Sequence, residues 1–277
     1  MPAQANAPSQ TDSAQQTAAP EQTEPTKKPA NKNAEVAETV VLDDMGVKVT
    51  VKGFEKGIFG PELKILVENN SGKNLTIQTR NSSVNGYMID TMLSVDVADG
   101  KKANDAVIFS DSDLELCGIE EFAILEFAFH IFTSDDWETY LDTEAIHLET
   151  SIAEGFQCVF NDSGEVLLDE NGIKIVSKGV LRDSLFGKGV VVYIENNSGK
   201  NITVQARDIS VNGFMIDPMF SCDVLDGKHA VDEITFMSSD LEENGIVKIE
   251  EVELSFHIFD LASWDTILDT NPVSLKY

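Results

Sequence analysis

Two histidines occupy matched positions in a pair of FHIF segments, and each has a glutamate four residues before it. The pairs are Glu126 with His130 and Glu253 with His257. An imidazole and a carboxylate on one face could bind a metal ion or relay a proton. Four residues of an extended strand span about 13 Å, however, so the two side chains of a pair cannot share one ion. No third ligand follows at a fixed spacing, and we therefore predict packed or surface histidines without a metal.

The acidic stretch SDSDLELCGI begins like a calcium-binding loop. Asp111, Asp113 and Glu115 alternate along it as oxygen ligands would. The sixth and twelfth positions of such a loop require glycine and glutamate, but here they hold Leu116 and Phe122. These carboxylates are better explained as residues that cap the start of a short helix. Adventitious calcium on so acidic a surface stays an open alternative.

Trp137 and Trp264 recur at the same place behind the two FHIF segments. An exposed indole could stack on a sugar or anchor a partner protein, whereas a folded-over indole would cover the open end of a β-structure. Both alternatives remain open from the sequence. The two tryptophans are the candidate ligand contacts of this chain.

Catalytic motifs are absent from the sequence. It contains no GxSxG, no Ser–His–Asp order, no phosphate-binding loop and no CxxC. A general acid–base pair would have to be chosen among 48 carboxylates, which identifies none of them. We therefore predict no catalytic residue, no cofactor and no metal, and expect that the protein is not an enzyme.

The candidate residues belong to a tandem repeat. ENNSGKN occurs at 68–74 and again at 195–201, and VNGYMID at 84–90 matches VNGFMID at 211–217. From Phe59 onward the two halves align at an offset of 127 residues. A unit of about 110 residues is therefore present twice, and each copy is long enough to fold alone.

Alternating apolar residues predict β-strands in each copy. In GVKVTVKGF, Val47, Val49 and Val51 share one face and polar residues share the other, which is typical of a half-buried strand. The turn residues of ENNSGKN predict a hairpin corner. Asn85 followed by Gly86 predicts a two-residue hairpin turn.

A further predicted strand covers residues 87–97, with the odd-numbered positions facing the core. Cys222 takes the place of Val95 on that face, so we predict that it acts as a small buried hydrophobic residue. Cys117 and Cys158 have no counterparts in the other copy. Three cysteines at unrelated spacings predict neither a disulfide framework nor a zinc site.

Short helices are predicted at two places in the first copy. Ser112 followed by Glu115 is a helix-start signature, and Gly118 would end that helix. The segment 133–143 could form a second short helix. Many strands with turn signals every ~8–12 residues predict an all-β fold of two tandem antiparallel β-sandwiches.

The domain boundaries follow from the repeat and from composition. We place the first sandwich at 39–150 and the second at 151–277, and the second includes a linking hairpin at 155–168. Residues 1–38 are rich in Ala, Gln, Pro and Thr and contain no aromatic residue. That composition predicts a disordered low-complexity tether.

Charge and hydropathy limit the partners. The net charge of −28 repels nucleic acid and anionic lipid surfaces. No run of 18 apolar residues is present, so no transmembrane helix is expected.

The first residues lack the charged and apolar segments of a signal peptide. A tether of this kind often follows the anchor point of an exported protein, so we expect an extracellular or envelope-associated protein. A lipid anchor upstream is one alternative, and a cytoplasmic tail is another.

Three blocks and their second-copy versions resemble a known family. They are VENNSGKNLTIQTRNSSVNGYMID, SDSDLELCGIEE and FAFHIFTSDDWETYLDT. They are similar to immunoglobulin-like modules of unknown function in secreted proteins and lipoproteins of Gram-positive gut anaerobes. The resemblance covers about residues 40–277. It implies export, a β-sandwich and a surface setting, and it implies no functional residue.

The combined expectation is a non-enzymatic secreted or cell-surface protein for binding, adhesion or presentation, whose partner is a protein or a glycan. One alternative is a soluble inhibitor or small-ligand carrier, which would need a pocket or apolar patch specific to one copy. Ile124 and Ala128, in place of Glu251 and Ser255, give the first copy the more apolar outer face. A hydrolytic enzyme with an unrecognised carboxylate site is the third alternative.

Overall fold

A computed structural model of the chain describes residues 34–184 and 186–277. In these residues the fold is all-β, with two short helices. Most of the tether expected over 1–38 lies outside the described residues, as does Leu185.

The first repeat supplies eleven strands and one helix to the described part of the chain. They are β1 (Thr39–Asp44), β2 (Val47–Lys56), β3 (Pro61–Asn69), β4 (Leu75–Val84), β5 (Tyr87–Met88), β6 (Thr91–Met92), β7 (Ser94–Val97), β8 (Lys101–Phe109), α1 (Asp111–Cys117), β9 (Ile124–Thr133), β10 (Thr139–Asp142) and β11 (Ile146–Glu149).

The second repeat supplies the remaining elements, in the same order where they correspond. They are β12 (Glu165–Glu170), β13 (Ile173–Asp183), β14 (Gly187–Asn196), β15 (Ile202–Val211), β16 (Phe214–Met215), β17 (Ser221–Val224), β18 (Lys228–Met237), α2 (Ser238–Glu243), β19 (Glu251–Asp260), β20 (Thr266–Asp269) and β21 (Val273–Lys276).

These strands form three sheets. The first has the order β1-β2-β3-β8-β6. The second runs β10-β9-β4-β5-β18-β14-β13-β12, with β7 on β4 and β11 on β9, and therefore contains strands of both repeats. The third runs β16-β15-β19-β20, with β17 on β15 and β21 on β19. Every pairing between named strands is antiparallel except the single contact of β5 with β18.

The alternation seen in the sequence corresponds to burial. Val47, Val49 and Val51 on β2 are fully buried, because side chains of a strand point alternately to the two faces of its sheet. The buried apolar residues form two clusters, one for each repeat. Val176 and Tyr193 of the second repeat belong to the first cluster, so the two cores touch.

The ENNSGKN stretch is a connection between sheets, so the predicted hairpin corner is wrong. It joins β3 in the first sheet to β4 in the second. Asn69, which is fully buried, donates from Nδ2 to the carbonyls of Lys73 and Val97, each at 2.7 Å. Its Oδ1 accepts from the backbone N–H and the hydroxyl of Ser71. Asn196 makes the same four bonds in the second repeat.

The predicted strand over 87–97 is broken into three pieces. β5 and β7 pair with β4, whereas β6 pairs with β8 across the core. The alternation of burial is still confirmed, because Tyr87, Ile89 and Val95 are all buried. The chain changes sheets while it keeps the same side chains inward.

Three further local predictions have different outcomes. The hairpin turn at Asn85–Gly86 is confirmed, with positive φ at both residues. The second helix expected over 133–143 is wrong, because the segment forms a tight turn followed by β10. Residues 155–164 contain no strand, so the linking hairpin expected over 155–168 does not form there.

The junction between the repeats is built around an aromatic stack. His229 at the start of β18 pairs with Tyr87 of β5, and its N–H donates to the Gly86 carbonyl at 3.0 Å. Its ring stacks on Phe160 at 3.5 Å and is hydrogen-bonded to the Tyr193 hydroxyl at 2.7 Å. Burial lowers the pKa of His229, which favours the neutral ring in this stack.

An ion pair joins the two repeats beside this aromatic stack. Lys228 of the second repeat contacts Glu126 of the first, which also accepts from the Ser83 hydroxyl. Burial raises the pKa of Glu126, but the hydrogen bond and charge of Lys228 outweigh that effect and lower it overall. The glutamate is therefore held ionised against its partner.

Candidate functional site

Trp137 and Trp264 lie on the surface, each with one indole face covered. Trp137 is 75% exposed and Trp264 is 73% exposed. The indole of Trp137 stacks on Phe132 with ring centres 5.3 Å apart and planes 18° apart. Trp264 stacks on Phe259 at 5.4 Å and 16°. Each indole therefore covers one phenylalanine ring and is otherwise exposed, so neither tryptophan is buried in the core.

The backbone of both tryptophans is strained. Trp137 has φ of 64° and Trp264 has φ of 65°, a left-handed conformation that usually holds glycine or asparagine. In the first repeat the N–H of Trp137 donates to the Thr133 carbonyl at 2.9 Å, which closes a tight turn. A bulky residue at such a position costs on the order of 1 kcal/mol. Matched strain in two copies suggests that the exposed indole has a function.

A histidine extends each aromatic pair into a row of three rings. The His130 ring lies 5.3 Å from Phe132, and its Nδ1 is hydrogen-bonded to Asp142 at 2.5 Å. We call Trp137, Phe132 and His130 the first ladder. The second ladder consists of Trp264, Phe259 and His257, and His257 makes the same 2.5 Å bond to Asp269.

Polar side chains surround the first ladder on the same sheet face. Gln78 and Arg80 on β4 lie beside β9, with Gln78 opposite His130. Thr76 lies opposite Phe132 and donates to Asp96 of β7 at 2.5 Å. The surface thus combines an open apolar ring with amide, guanidinium and carboxylate groups that can hydrogen-bond a ligand.

The second ladder has the same surroundings. Gln205 lies opposite His257, and Arg207 is exposed further along β15. Thr203 donates to Asp223 of β17 at 2.6 Å. The chain therefore presents two copies of one surface, and the repeat accounts for both.

The structure separates the histidine–glutamate pairs. His130 is hydrogen-bonded to Asp142, whereas Glu126 contacts Lys228 and His147. Within residues 34–184 and 186–277, no group of three or more His, Cys, Asp or Glu side chains could hold a metal ion.

The acidic stretch after β8 forms α1, with Asp111 and Asp113 in its first turn. The predicted helix and its end at Gly118 are confirmed, the latter with left-handed φ of 67°. The helix start differs from the predicted signature, because no side chain caps it. Asp113 instead accepts from the N–H of Asp90 at 3.1 Å, which ties the helix to the corner after β5.

The three cysteines are free thiols. Cys222 is buried, as predicted. Cys117 is packed against the first core cluster, and burial raises its pKa to about 12, so its thiol stays protonated at neutral pH.

Across the described ranges no helix is both long enough and apolar enough to cross a bilayer. Comparisons with protein-family models and with curated proteins find no match for this chain.

Part of the site was missed from the sequence. Phe132 and Asp142 belong to the repeated FHIF and LDT blocks, but they were not identified as site residues from the sequence. Their repetition was a signal, but the pairing of β9 with β10 that brings them together comes from the fold. Trp137 was singled out because it recurs.

Proposed function

We propose that the protein is a non-enzymatic binding module that holds carbohydrate on its two ladders. The observation that carries the proposal is the strained, exposed tryptophan repeated at Trp137 and Trp264. One indole face rests on a phenylalanine and the other is open. A pyranose ring offers a flat C–H face to such a surface and hydroxyl groups to the polar side chains around it.

The polar neighbours suit this ligand. Asp142 is hydrogen-bonded to His130 but stays largely exposed, so it can accept from a sugar hydroxyl. Gln78 and Arg80 supply amide and guanidinium donors on the neighbouring strand. Neutral hydroxylated ligands also avoid the repulsion that a net charge of −28 imposes on anionic partners.

The proposal extends to architecture and location. The pairing of the strands is consistent with two immunoglobulin-like sandwiches, and the resemblance of residues 40–277 to exported modules supports a cell-surface or secreted setting. A terminal tether would allow the two ladders to reach out from an envelope. A glycan of the cell wall or of a host surface is the ligand class that this setting favours.

Substituting Trp137 and Trp264 with glycine is expected to remove binding and spare the fold. Glycine adopts positive φ without strain, which offsets the loss of the Trp–Phe stack, so the free energy of unfolding should change by less than about 1 kcal/mol. Each single variant should weaken binding to a neutral cell-wall or mucin oligosaccharide about 10-fold, and the double variant should show none. Ile58→Gly, at another exposed apolar residue, is the control.

Fluorescence can assign binding to one ladder at a time, because the chain has only these two tryptophans. In Trp137→Gly all tryptophan emission comes from Trp264, and saturation with a soluble oligosaccharide should shift that emission to shorter wavelength. Binding without any change in emission from either single variant contradicts the proposal. Preserved binding in the double variant, or competition by a small envelope metabolite alone, would favour the carrier alternative. Release of new reducing ends during incubation would favour the hydrolase.

A further inference from the structure

We infer that the protein self-associates head to tail, with the second repeat of one copy docking onto the first repeat of the next. Within the chain, the first repeat presents one face to the second. We call this the leading face, and its residues are Tyr87, Met88, Cys117 and Glu126. The second repeat offers the receiving face, whose residues are Tyr193, Lys228, His229, Val231 and Asp232.

The leading face of the second repeat is uncovered. Phe214 and Met215 correspond to Tyr87 and Met88, and they are 48% and 69% exposed, whereas Tyr87 is 3% exposed. β16 is an edge strand of the third sheet, whereas its counterpart β5 is paired with β18 on its other side. An open strand edge that carries exposed apolar side chains is a site for pairing with another chain.

The receiving face of the first repeat is uncovered as well. Lys101, Lys102 and Asp105 on β8 correspond to Lys228, His229 and Asp232, and all three are exposed. Beside them Met92, which is 52% exposed, lines an open groove together with Ala106 and Ile108. The strand of the second repeat that matches β8 is β18, and it is covered by α1 of the first repeat.

The charges needed for the contact are present. Glu253 corresponds to Glu126, and it accepts from the Ser210 hydroxyl just as Glu126 accepts from Ser83. Lys101, the counterpart of Lys228, forms no ion pair with any other described residue. Glu253 of one copy and Lys101 of the next can therefore form the pair that closes the junction within the chain.

The contact between copies is weaker than the junction within the chain. Lys102 replaces His229 and Leu66 replaces Tyr193, so the aromatic stack is missing. The net charge of −28 on each copy also opposes association. We therefore expect association at high protein concentration and at physiological salt. Because the two faces differ, the contact is heterologous and produces open chains of copies.

The test is sedimentation of the full chain from about 10 µM to about 1 mM, a range that detects dissociation constants near 0.1–1 mM. The weight-average mass should rise steadily with concentration, without a plateau at the dimer. Phe214→Glu and Met215→Glu should each keep the protein monomeric, and Ile58→Glu, at an exposed apolar residue outside both faces, should leave association unchanged.

A charge exchange makes the test specific. Lys101→Glu alone and Glu253→Lys alone should each abolish association, and the variant with both changes should recover it. A monomer at every concentration, a closed dimer, or association that persists in both Phe214→Glu and Met215→Glu overturns the inference.

Discussion

Asn69→Asp is expected to destabilise the first repeat by about 4 kcal/mol at pH 7. The side chain is fully buried, and its Nδ2 donates to the carbonyls of Lys73 and Val97. Aspartate has the same shape but cannot donate when ionised, so it would place a negative charge against two carbonyl oxygens in the interior. Burial of an unpaired charge usually costs about 3–5 kcal/mol. Chemical denaturation followed by circular dichroism measures the change.

The neighbouring residue provides a matched control. Asn70 stands in the same ENNSGKN stretch but is exposed, so Asn70→Asp should change stability by less than about 0.5 kcal/mol. Because this site disfavours the ionised form, the folded pKa of the introduced carboxyl should exceed its unfolded value near 4, so the deficit of Asn69→Asp should shrink as the pH falls from 7 towards about 4, where a protonated carboxyl can donate one hydrogen bond. Equal stabilities for the two variants would show that the buried amide does not hold the connection together. Asn196→Asp tests the same buried amide in the second repeat.

The local features of this fold were predictable from residue types. Alternating valines on β2 and the Asn85–Gly86 turn each depend on a few neighbouring residues, and both are confirmed. Cys222 was predicted to be buried from its match to Val95, because a duplicated strand keeps its inward face. In these cases the information needed is contained in a short stretch of chain.

Features set by distant partners were not predictable. The sequence identified ENNSGKN as a turn but did not distinguish a hairpin from a connection between sheets, because β3 pairs with β8 and β4 pairs with β9, and both of these partners lie far along the chain. The same reason explains the break in 87–97, where β6 leaves one sheet to pair with β8. The alternating apolar pattern of each repeat is compatible with more than one order of strands in the sheets.

The site was partly predictable for a related reason. Trp137 and Trp264 were chosen because they recur, but their exposure depends on a turn whose left-handed φ is unusual for so large a residue. The backbone preference of tryptophan disfavours the left-handed conformation, but the structure contains it at both positions. A position where local preference is violated in both copies is where a function is most expected.

The junction leads to a prediction about pH. Asp232 on β18 is half-buried, and burial raises its pKa to about 6, an effect to which Asp90 and Asp113 of the first repeat add by repulsion. The Glu233 N–H and the Cys222 thiol donate to its carboxylate but do not cancel that effect. Because the folded pKa exceeds the unfolded value near 4, the folded state binds more protons between about pH 4 and 6. Ionised Asp232 therefore destabilises the protein at pH 7, and this loss disappears as the pH falls.

Asp232→Asn is accordingly expected to stabilise the protein at pH 7 by about 2 kcal/mol, a value reduced from the full shift to account for partial solvent access. The gain should vanish by about pH 4, where the wild-type carboxyl is protonated as well. Asp105 is the matched control, because it occupies the same place on β8 and accepts the following N–H at 2.8 Å but is exposed. Denaturant melts of both variants from pH 4 to 8 should show a pH-dependent gain for Asp232→Asn and none for Asp105→Asn. Equal gains would mean that removing any acidic charge from so negative a chain stabilises it, whereas a gain confined to Asp232→Asn identifies the buried side of the junction as the source.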